Sequence, residues 1–317
     1  MNYIKETACA TPVLPPLTGD RLWSGLSRVT TAARRFACDL RASDPLLFHL
    51  GWIMQALIPL FAVMAAAYHF SGHAANVNGI NPSGINPWTK PIKFATSLST
   101  LLWTLAPMLL ALRVPEWQRK AARQAIAFGA VMEMVCLTAQ AGRGAYFSGP
   151  ATLTDAVVFR GTSAMISVIT AVCLWMTVLY FVNSRVALAD KMMLAAIRFS
   201  LVIFMIGNAV GGYMLARGSH TVGAPDGGPG MPFTNWSTTA GDLRVAHFIA
   251  IHAIQILPLL AWGLRELMPP APERRLRLVL YAASAVLSLA VAGAFIQAAM
   301  AHPLMPMAQT QQAARIP

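Results

Sequence analysis

The strongest constraint on this chain is a series of seven apolar blocks, each about 20 residues long and almost free of charge. An α-helix of that length rises about 30 Å, the thickness of the hydrocarbon core of a bilayer. The apolar residues run continuously and do not alternate with period two, which excludes a porin-type barrel. We therefore predict an all-α polytopic membrane helix bundle with seven transmembrane helices, at roughly 46–70, 92–112, 121–142, 161–182, 194–216, 245–264 and 278–300.

The distribution of positive charge predicts the orientation of this bundle. The net charge is +12, and 17 of the 24 Lys and Arg residues lie in the N-terminal arm and in the three connectors on its side of the membrane. The positive-inside rule then puts the N-terminus in the cytoplasm and the C-terminus outside, in a bacterial inner membrane. The basic excess is a topology signal, so the expected partner is the lipid bilayer, and nucleic acid is not expected as a partner.

The positions of the apolar blocks and of the basic residues divide the chain into three parts. Residues 1–44 form a predicted cytoplasmic arm with an amphipathic interfacial helix at about 21–40, for which docking to a soluble partner is the alternative role. Residues 45–302 form the transmembrane domain, and 303–317 a short disordered outer tail. No C-x-x-C spacing occurs, and neither a disulfide nor a zinc-ribbon site is expected.

Six of the seven histidines fall in the outer half of the predicted bundle or in its outer loops. Imidazole suits iron, copper and zinc, so these residues are candidate metal or haem ligands. The positions His247 and His252 are five apart, about 140° round a helix, and cannot easily bind one metal alone. A shared metal would need a histidine from another helix end. The candidate ligands are His69, His73, His247 and His252.

Polar residues within the predicted spans are few. Glu133 is the only acidic residue near the middle of a span, where an ionised group costs at least ~2.5–3.5 kcal/mol unless paired or hydrated. It could carry a proton or act as a general acid, or it could fix helix packing through a hydrogen bond. Gln140 and Arg143 follow it toward the outer end of the same helix, and Arg244 shares a face of the sixth span with His247 and Gln255. The candidate catalytic residues are Glu133, Gln140, Arg143 and Arg244.

A second group of polar residues converges on the same outer level. Lys90 and Lys93 run against the positive-inside rule, and they could bind a carboxylate, a phosphate or a haem propionate, or simply extend toward lipid phosphate. Asn208 lies beside Gly211 and Gly212, a pattern that also serves close helix packing. The predicted cofactor-binding residues are Lys90, Lys93, Asn208 and Gln255. Asp242, Thr238 or Thr239 is expected to cap the sixth span.

Several of these segments resemble a group of uncharacterised bacterial multi-pass inner-membrane proteins. The likeness runs from the second span to the sixth and rests on Asn86–Phe94, on the stripe from Glu133 to Gly144, and on the blocks 218–223, 235–239 and 242–248. Relatives have Ser-His-Phe-Asn after the Arg-Gly pair, where this chain reads Ala-Tyr-Phe-Ser at 145–148. The resemblance implies membership of this group and no particular activity.

Two functional hypotheses follow, with a structural or assembly role as a third. In the first, the outer polar groups hold a transition metal or haem and perform redox chemistry on a small-molecule or lipid-soluble substrate. In the second, they line a path for a small anionic solute, with Glu133 as the proton-coupling carboxylate. The predicted spans show no inverted repeat and no matched pair of broken helices, which argues against transport. No ligand set has clean metal-binding spacing, which argues against the enzyme.

Overall fold

The computed structural model describes residues 21–71, 85–145, 152–188, 190–267 and 271–306. Within these ranges the chain is almost entirely helical, with one two-stranded antiparallel sheet that pairs Thr221 with Asp242 and Val222 with Gly241. The elements are α1 Arg21–Ser43, α2 Pro45–Phe70, α3 Thr89–Leu110, α4 Glu116–Gly142, α5 Leu153–Tyr180, a 3₁₀ turn Asn183–Arg185, α6 Lys191–Arg217, β1 Thr221–Val222, β2 Gly241–Asp242, α7 Leu243–Ile251, α8 Ala253–Leu267 and α9 Glu273–Ala299.

Seven helical segments of the described chain are long and apolar enough to cross a membrane, which confirms the predicted all-α polytopic bundle. They are α2, α3, α4, α5, α6, the combined α7 and α8, and α9. Large apolar side chains cover the perimeter; Leu289 is 72% exposed and Val63 65% exposed. A surface of this kind is stable against lipid, because an apolar patch of such extent is costly in water.

The helices begin earlier than the apolar runs predicted. The fourth span was expected from 161, but α5 starts at Leu153 because Thr152 and Asp155 form a capping box. In that box the Thr152 hydroxyl accepts a hydrogen bond from the Asp155 backbone N–H, and the Asp155 carboxylate accepts one from the Thr152 N–H. Polar first turns extend beyond the apolar block, so a hydropathy criterion alone makes the helices too short.

The sixth span was expected at 245–264, and the structure has one membrane-length helical segment there, Leu243–Glu266. α7 ends at Ile251 and α8 begins at Ala253, with a one-residue turn at His252. The helical hydrogen bonds continue through this turn, since the His252 N–H donates to the Phe248 carbonyl and the Ile256 N–H donates to the His252 carbonyl. Pro258 in α8 has no N–H to donate to the carbonyl of Ile254, which weakens the helix locally.

The described interior contains two large apolar clusters and two small ones. The largest packs α2, α3, α4 and α5 together with residues of α6 and α8, and the second packs α6, α8 and α9. The two small clusters join α7 to the outer half of α9, one of them with Val210 of α6. At the end of the bundle that holds the N-terminus of α2, the Arg123 Nε atom lies 2.8 Å from Oδ2 of the fully buried Asp44. We call this the inner end and the opposite one the outer end, after the predicted orientation.

The N-terminal arm is helical from Arg21, and α1 contacts α2, α3 and α8. Its position on a membrane surface stays a prediction, as does the division into three domains. Cys38 in α1 is disulfide-bonded, so the expectation of no disulfide is wrong, whereas Cys136 and Cys173 are free thiols. The spacing argument tested only cysteines close in sequence, and a disulfide can join distant positions. Most of the predicted outer tail, from 307 onward, lies outside the described residues.

Candidate functional site

Charged side chains from four parts of the chain meet at the outer end of the bundle. Lys90 and Lys93 lie in the first two turns of α3, Arg244 begins α7, and Glu133 lies in the outer half of α4. The charge of Lys90 acts on Glu133, Lys93 and Arg244, and it also reaches His220. We call these five residues together with Asp242 the outer polar cluster. Four of its members were site candidates from the sequence, and Asp242 was expected only as a helix cap. The ion pair of Asp242 and the place of His220 in the cluster were not predicted.

The start of α3 is fixed against the end of α2, and this contact positions the two lysines. The side-chain amide of Asn86 donates a hydrogen bond to the Ala65 carbonyl at 2.7 Å, and its oxygen accepts one from the Trp88 N–H at 3.1 Å. The Trp88 ring is buried and packs against Phe61, with ring centroids 5.9 Å apart. The Asn-Pro-Trp segment therefore has a structural role beneath the lysines.

Arg244 forms a bidentate ion pair with Asp242. Its Nε lies 2.9 Å from Oδ1 and its Nη2 2.6 Å from Oδ2, and the Asp242 side chain is 1% exposed. Asp242 also caps α7 by accepting from the Arg244 N–H, which confirms the predicted cap, and it accepts a bond from the Ser237 N–H. The same guanidinium donates to the carbonyl of Asn235. Arg244 thus links the start of α7 to the loop before it.

That loop folds back on itself between residues 229 and 238, a segment we call the cap hairpin. The Met231 N–H donates to the Trp236 carbonyl at 2.8 Å, and the Thr238 N–H donates to the Pro229 carbonyl at 3.1 Å. Phe233 near its tip has a φ of 65°, in the left-handed region that a bulky residue rarely adopts, whereas Asn235, with a φ of 55°, is of a type that tolerates this region. Strain of this kind persists only where surrounding contacts hold it.

Cations of the outer polar cluster supply those contacts. Lys93 Nζ donates to the carbonyl of Thr234 at 3.2 Å and lies 5.4 Å from the centroid of the Phe233 ring. Arg244 holds the next carbonyl, that of Asn235. The Thr234 hydroxyl oxygen is buried without a hydrogen-bond partner. Lys93, which was predicted to bind an anion, and Arg244, a candidate catalytic residue, therefore both hold the backbone of the cap hairpin in this structure.

His220 connects the cluster to β1. Its Nδ1 lies 3.4 Å from Oδ1 of Asp226 and 3.9 Å from Oδ1 of Asp242. Burial and the Arg244 guanidinium lower the pKa of His220, and they outweigh the attraction of the two carboxylates. Burial tends to raise the pKa of Asp226, but hydrogen bonds from Thr221 and Ser219 outweigh it and lower that pKa. A neutral imidazole beside an ionised Asp226 is the result.

Glu133 differs from Asp242, the other carboxylate of the cluster, in having an unpartnered oxygen. The residue is 3% exposed, and its Oε2 atom is buried without a hydrogen-bond partner. Gln255 Oε1, on the first turn of α8, is unpartnered in the same way. Buried polar atoms in native proteins are nearly always satisfied, so such atoms indicate a place where a proton, water or ligand belongs.

Gln140 and Arg143 do not join Glu133 in a common site. The Gln140 amide donates to Oδ1 of Asp155 at 2.6 Å, and Arg143 Nη1 lies 2.9 Å from the same oxygen. Arg143 also donates to Gln140 Oε1 at 2.8 Å. This closed network ties α4 to α5. Asp155, at the centre of this network, was not predicted because the apolar run of this span begins only at 161, although Thr-x-x-Asp at 152–155 is a capping signature.

The candidate metal ligands lie in different surroundings. His247 Nδ1 is 2.7 Å from the Gly207 carbonyl, and its ring packs on Gly211, so this histidine joins α7 to α6. His252 lies in the one-residue turn of the sixth span beside the Phe248 ring, His69 lies at the end of α2, and His73 is outside the described residues. Across the described ranges, no group of three His, Cys, Asp or Glu side chains could hold a metal ion.

Asn208 serves helix packing in the structure. Its side-chain oxygen accepts a bond from the Thr170 hydroxyl at 2.9 Å, and its amide donates to the Phe204 carbonyl. A Cβ atom at Gly207 would lie 2.8 Å from that of Ala250, so Gly207 and Gly211 permit the close approach of α6 to α7. A Cβ at Gly212 would meet open space, which makes Gly207 the relevant partner in place of Gly212.

Comparison of the chain with models of protein families, with curated proteins and with solved structures finds no match. The class supported by the fold is an integral membrane protein with seven membrane-spanning helices. The outer polar cluster is the feature of the described chain that bears on its activity.

Proposed function

We propose that this protein is a proton-coupled transporter for a small anionic solute, with Glu133 as the carboxylate that carries the proton. The observation that carries this proposal is the buried, unpartnered Oε2 atom of Glu133 within electrostatic reach of Lys90. A carboxylate that binds a proton during each cycle needs an oxygen that no fixed hydrogen bond occupies. The Asp155 carboxylate, by contrast, uses both oxygens in hydrogen bonds.

The charges around Glu133 support coupling between an anion and a proton. Lys90 favours the ionised form of Glu133, because opposite charges at short range stabilise each other. An anion bound at Lys90 would offset that positive charge and allow Glu133 to take up a proton. By thermodynamic linkage, protonation of Glu133 removes the negative charge that acts on Lys90, so the anion binds there more tightly. The anion and the proton are therefore expected to bind together.

The cap hairpin supports a role as a gate over the anion site. Lys93 and Arg244 bind the carbonyls of Thr234 and Asn235, which are neutral acceptors. A carboxylate or phosphate accepts stronger hydrogen bonds from these cations than a carbonyl does. An arriving anion would displace the two carbonyls from Lys93 and Arg244. The backbone of Phe233 would then leave its left-handed conformation.

Pro258 in the sixth span supports movement around this site. It has no N–H to donate to the carbonyl of Ile254, and helices bend most easily where such a hydrogen bond is missing. The same span carries Arg244 of the cluster near its outer end. The described residues bring together no group of three His, Cys, Asp or Glu side chains that could hold the metal ion of the enzyme hypothesis. No observation favours it over transport.

The test is uptake into proteoliposomes that contain a trapped pH-sensitive dye. Small monocarboxylates and inorganic phosphate are added one at a time under an inward proton gradient. We expect one class of anion to accelerate internal acidification, and Glu133→Gln to abolish the acceleration. Glu273→Gln is the matched control, because Glu273 is an exposed carboxylate at the inner end of α9. If no anion changes proton flux, or if Glu133→Gln behaves as the wild type, the proposal is wrong.

A further inference from the structure

Apart from the outer polar cluster, α6 and α9 enclose an apolar groove that opens on the side of the bundle. It contains about 790 Å³ of space, part of it open to the surroundings. Its walls include Ile203, Ile206 and Tyr213 from α6, and Val291, Ala292 and Phe295 from α9. The one hydroxyl within the walls besides that of Tyr213 belongs to Ser288, which donates its hydrogen bond to the Ser284 carbonyl. The groove therefore offers almost no unsatisfied polar group.

The length and depth of the groove match one leaflet of a bilayer. From Ile203 to Tyr213 the helix rises about 15 Å, half of the ~30 Å hydrocarbon core. Both walls belong to the C-terminal halves of their helices, so the groove lies in the outer half of the bundle. A groove of this length at this depth fits one acyl chain whose headgroup lies at the outer end.

A positive charge lies where that headgroup would be. Arg217 is one turn beyond Tyr213, about 6 Å further along α6, and its guanidinium lies 5.6 Å from the centroid of the Tyr213 ring. Arg217 is exposed, and no carboxylate of the described chain pairs with it. It is also among the few cations at the outer end, where the positive-inside rule disfavours them. An arginine above an apolar groove matches a phosphate above an acyl chain.

We propose that the groove between α6 and α9 is a binding site for one anionic phospholipid. An acyl chain fills the groove, and Arg217 binds the phosphate while its stem rests on Tyr213. The site shares no residue with the outer polar cluster, so it does not depend on the transport proposal. A neutral lipid-soluble molecule such as a quinone is the competing occupant, and it lacks the charge that Arg217 complements.

The test is native mass spectrometry of the protein released from nanodiscs that contain equal amounts of phosphatidylglycerol and phosphatidylcholine. We expect the wild type to retain phosphatidylglycerol preferentially. Arg217→Gln should reduce that preference about fivefold, the effect of about 1 kcal/mol for one arginine near the membrane surface. Arg160→Gln is the matched control, since Arg160 is an exposed arginine in the outer half of α5 and is not part of the groove.

A second pair of variants fills the groove without touching the core. Ala209 and Ala292 line opposite walls and are exposed, so Ala209→Phe or Ala292→Phe should exclude the retained lipid. Ala66→Phe on the exposed face of α2 serves as the control and should have no effect. Equal retention of both lipids by the wild type would overturn the proposal. So would retention that survives both filling variants, or recovery of a neutral isoprenoid in place of the phospholipid.

Discussion

At the scale of single residues, two buried carboxylates of the outer half have opposite surroundings. Asp155 accepts hydrogen bonds from Gln140, Arg143 and Thr152, whereas Glu133 keeps an unpartnered oxygen. A carboxylate with all its partners in place stabilises the fold. One that lacks a partner costs folding free energy and is retained where it serves an activity.

This contrast gives a prediction about stability. Asp155→Ala leaves Gln140 and Arg143 without their common acceptor, and we expect the free energy of unfolding to fall by about 2–3 kcal/mol. Glu133→Gln should leave it unchanged or raise it, because a neutral amide is cheaper to bury than a carboxylate. Denaturant unfolding in detergent measures both variants. Equal stability of the two would show that the Asp155 network does not hold α4 to α5.

His220 predicts a dependence of stability on pH. Burial and Arg244 lower the pKa of His220 in the folded chain below the usual value of about 6.5. Between the two values the unfolded chain binds more protons, so stability rises with pH across that window and is lost as the pH falls below about 6.5. We expect the melting temperature to decrease from pH 7 to pH 5, and His220→Gln to reduce that decrease.

The control for this measurement is His49→Gln, which replaces an exposed histidine near the inner end of α2. Its pH profile should match that of the wild type. A profile for His220→Gln that is as steep as the wild type would contradict the assignment of the pH dependence to His220.

At the scale of elements, the hairpin of β1 and β2 is seated directly on the end of α9. A Cβ atom added at Gly241 would overlap the carbonyl oxygen of Ala298, and one at Gly223 would lie 2.5 Å from the Cβ of Ala301. Asp242 is the last residue of β2, and Arg244 is the second residue of α7, which follows directly. The contact with α9 therefore also sets the position of the outer polar cluster. The glycines are required here by the closeness of two backbones.

We therefore expect Gly241→Ala to destabilise the protein by about 1–3 kcal/mol, the usual cost of overpacking. The variant should also increase hydrogen exchange in the cap hairpin, which depends on the same anchor. Gly293→Ala is the control: no atom outside its own helix lies within 4 Å of the added Cβ, and alanine favours a helix by about 0.5–1 kcal/mol. If both variants are equally stable, β2 is not held by α9 in the way described.

At the scale of the whole molecule, seven spans place the start of α2 and the end of α9 on opposite sides of a membrane. The positive-inside rule predicts that the C-terminus and the outer polar cluster face outward. Alkaline phosphatase fused to the C-terminus should then be active in a bacterial host, and a green fluorescent protein fusion should be dark, because each folds on one side only. A dark phosphatase with a bright fluorescent fusion would reverse the orientation, and the anion would then be taken from the cytoplasm.

The sequence alone determined the class of the molecule and most of its spans. Apolar blocks of membrane length have few alternatives in a bilayer, because every backbone polar group there must be bonded within the helix. The same local logic found the cap at Asp242 and singled out Glu133 as a costly residue. The predicted start of α5 was eight residues too late, because a hydropathy criterion does not detect a polar first turn that is capped.

Only the tertiary structure decided which polar groups are partners. Gln140 and Arg143 share a helix with Glu133 in sequence, yet both turn to Asp155 on α5, while Lys90 from α3 is the cation that acts on Glu133. His247 bonds to Gly207, and Arg244 bonds to Asp242 and to the cap hairpin. Periodicity describes one helix at a time, whereas ion pairs and hydrogen bonds depend on distances between helices and loops that packing alone sets.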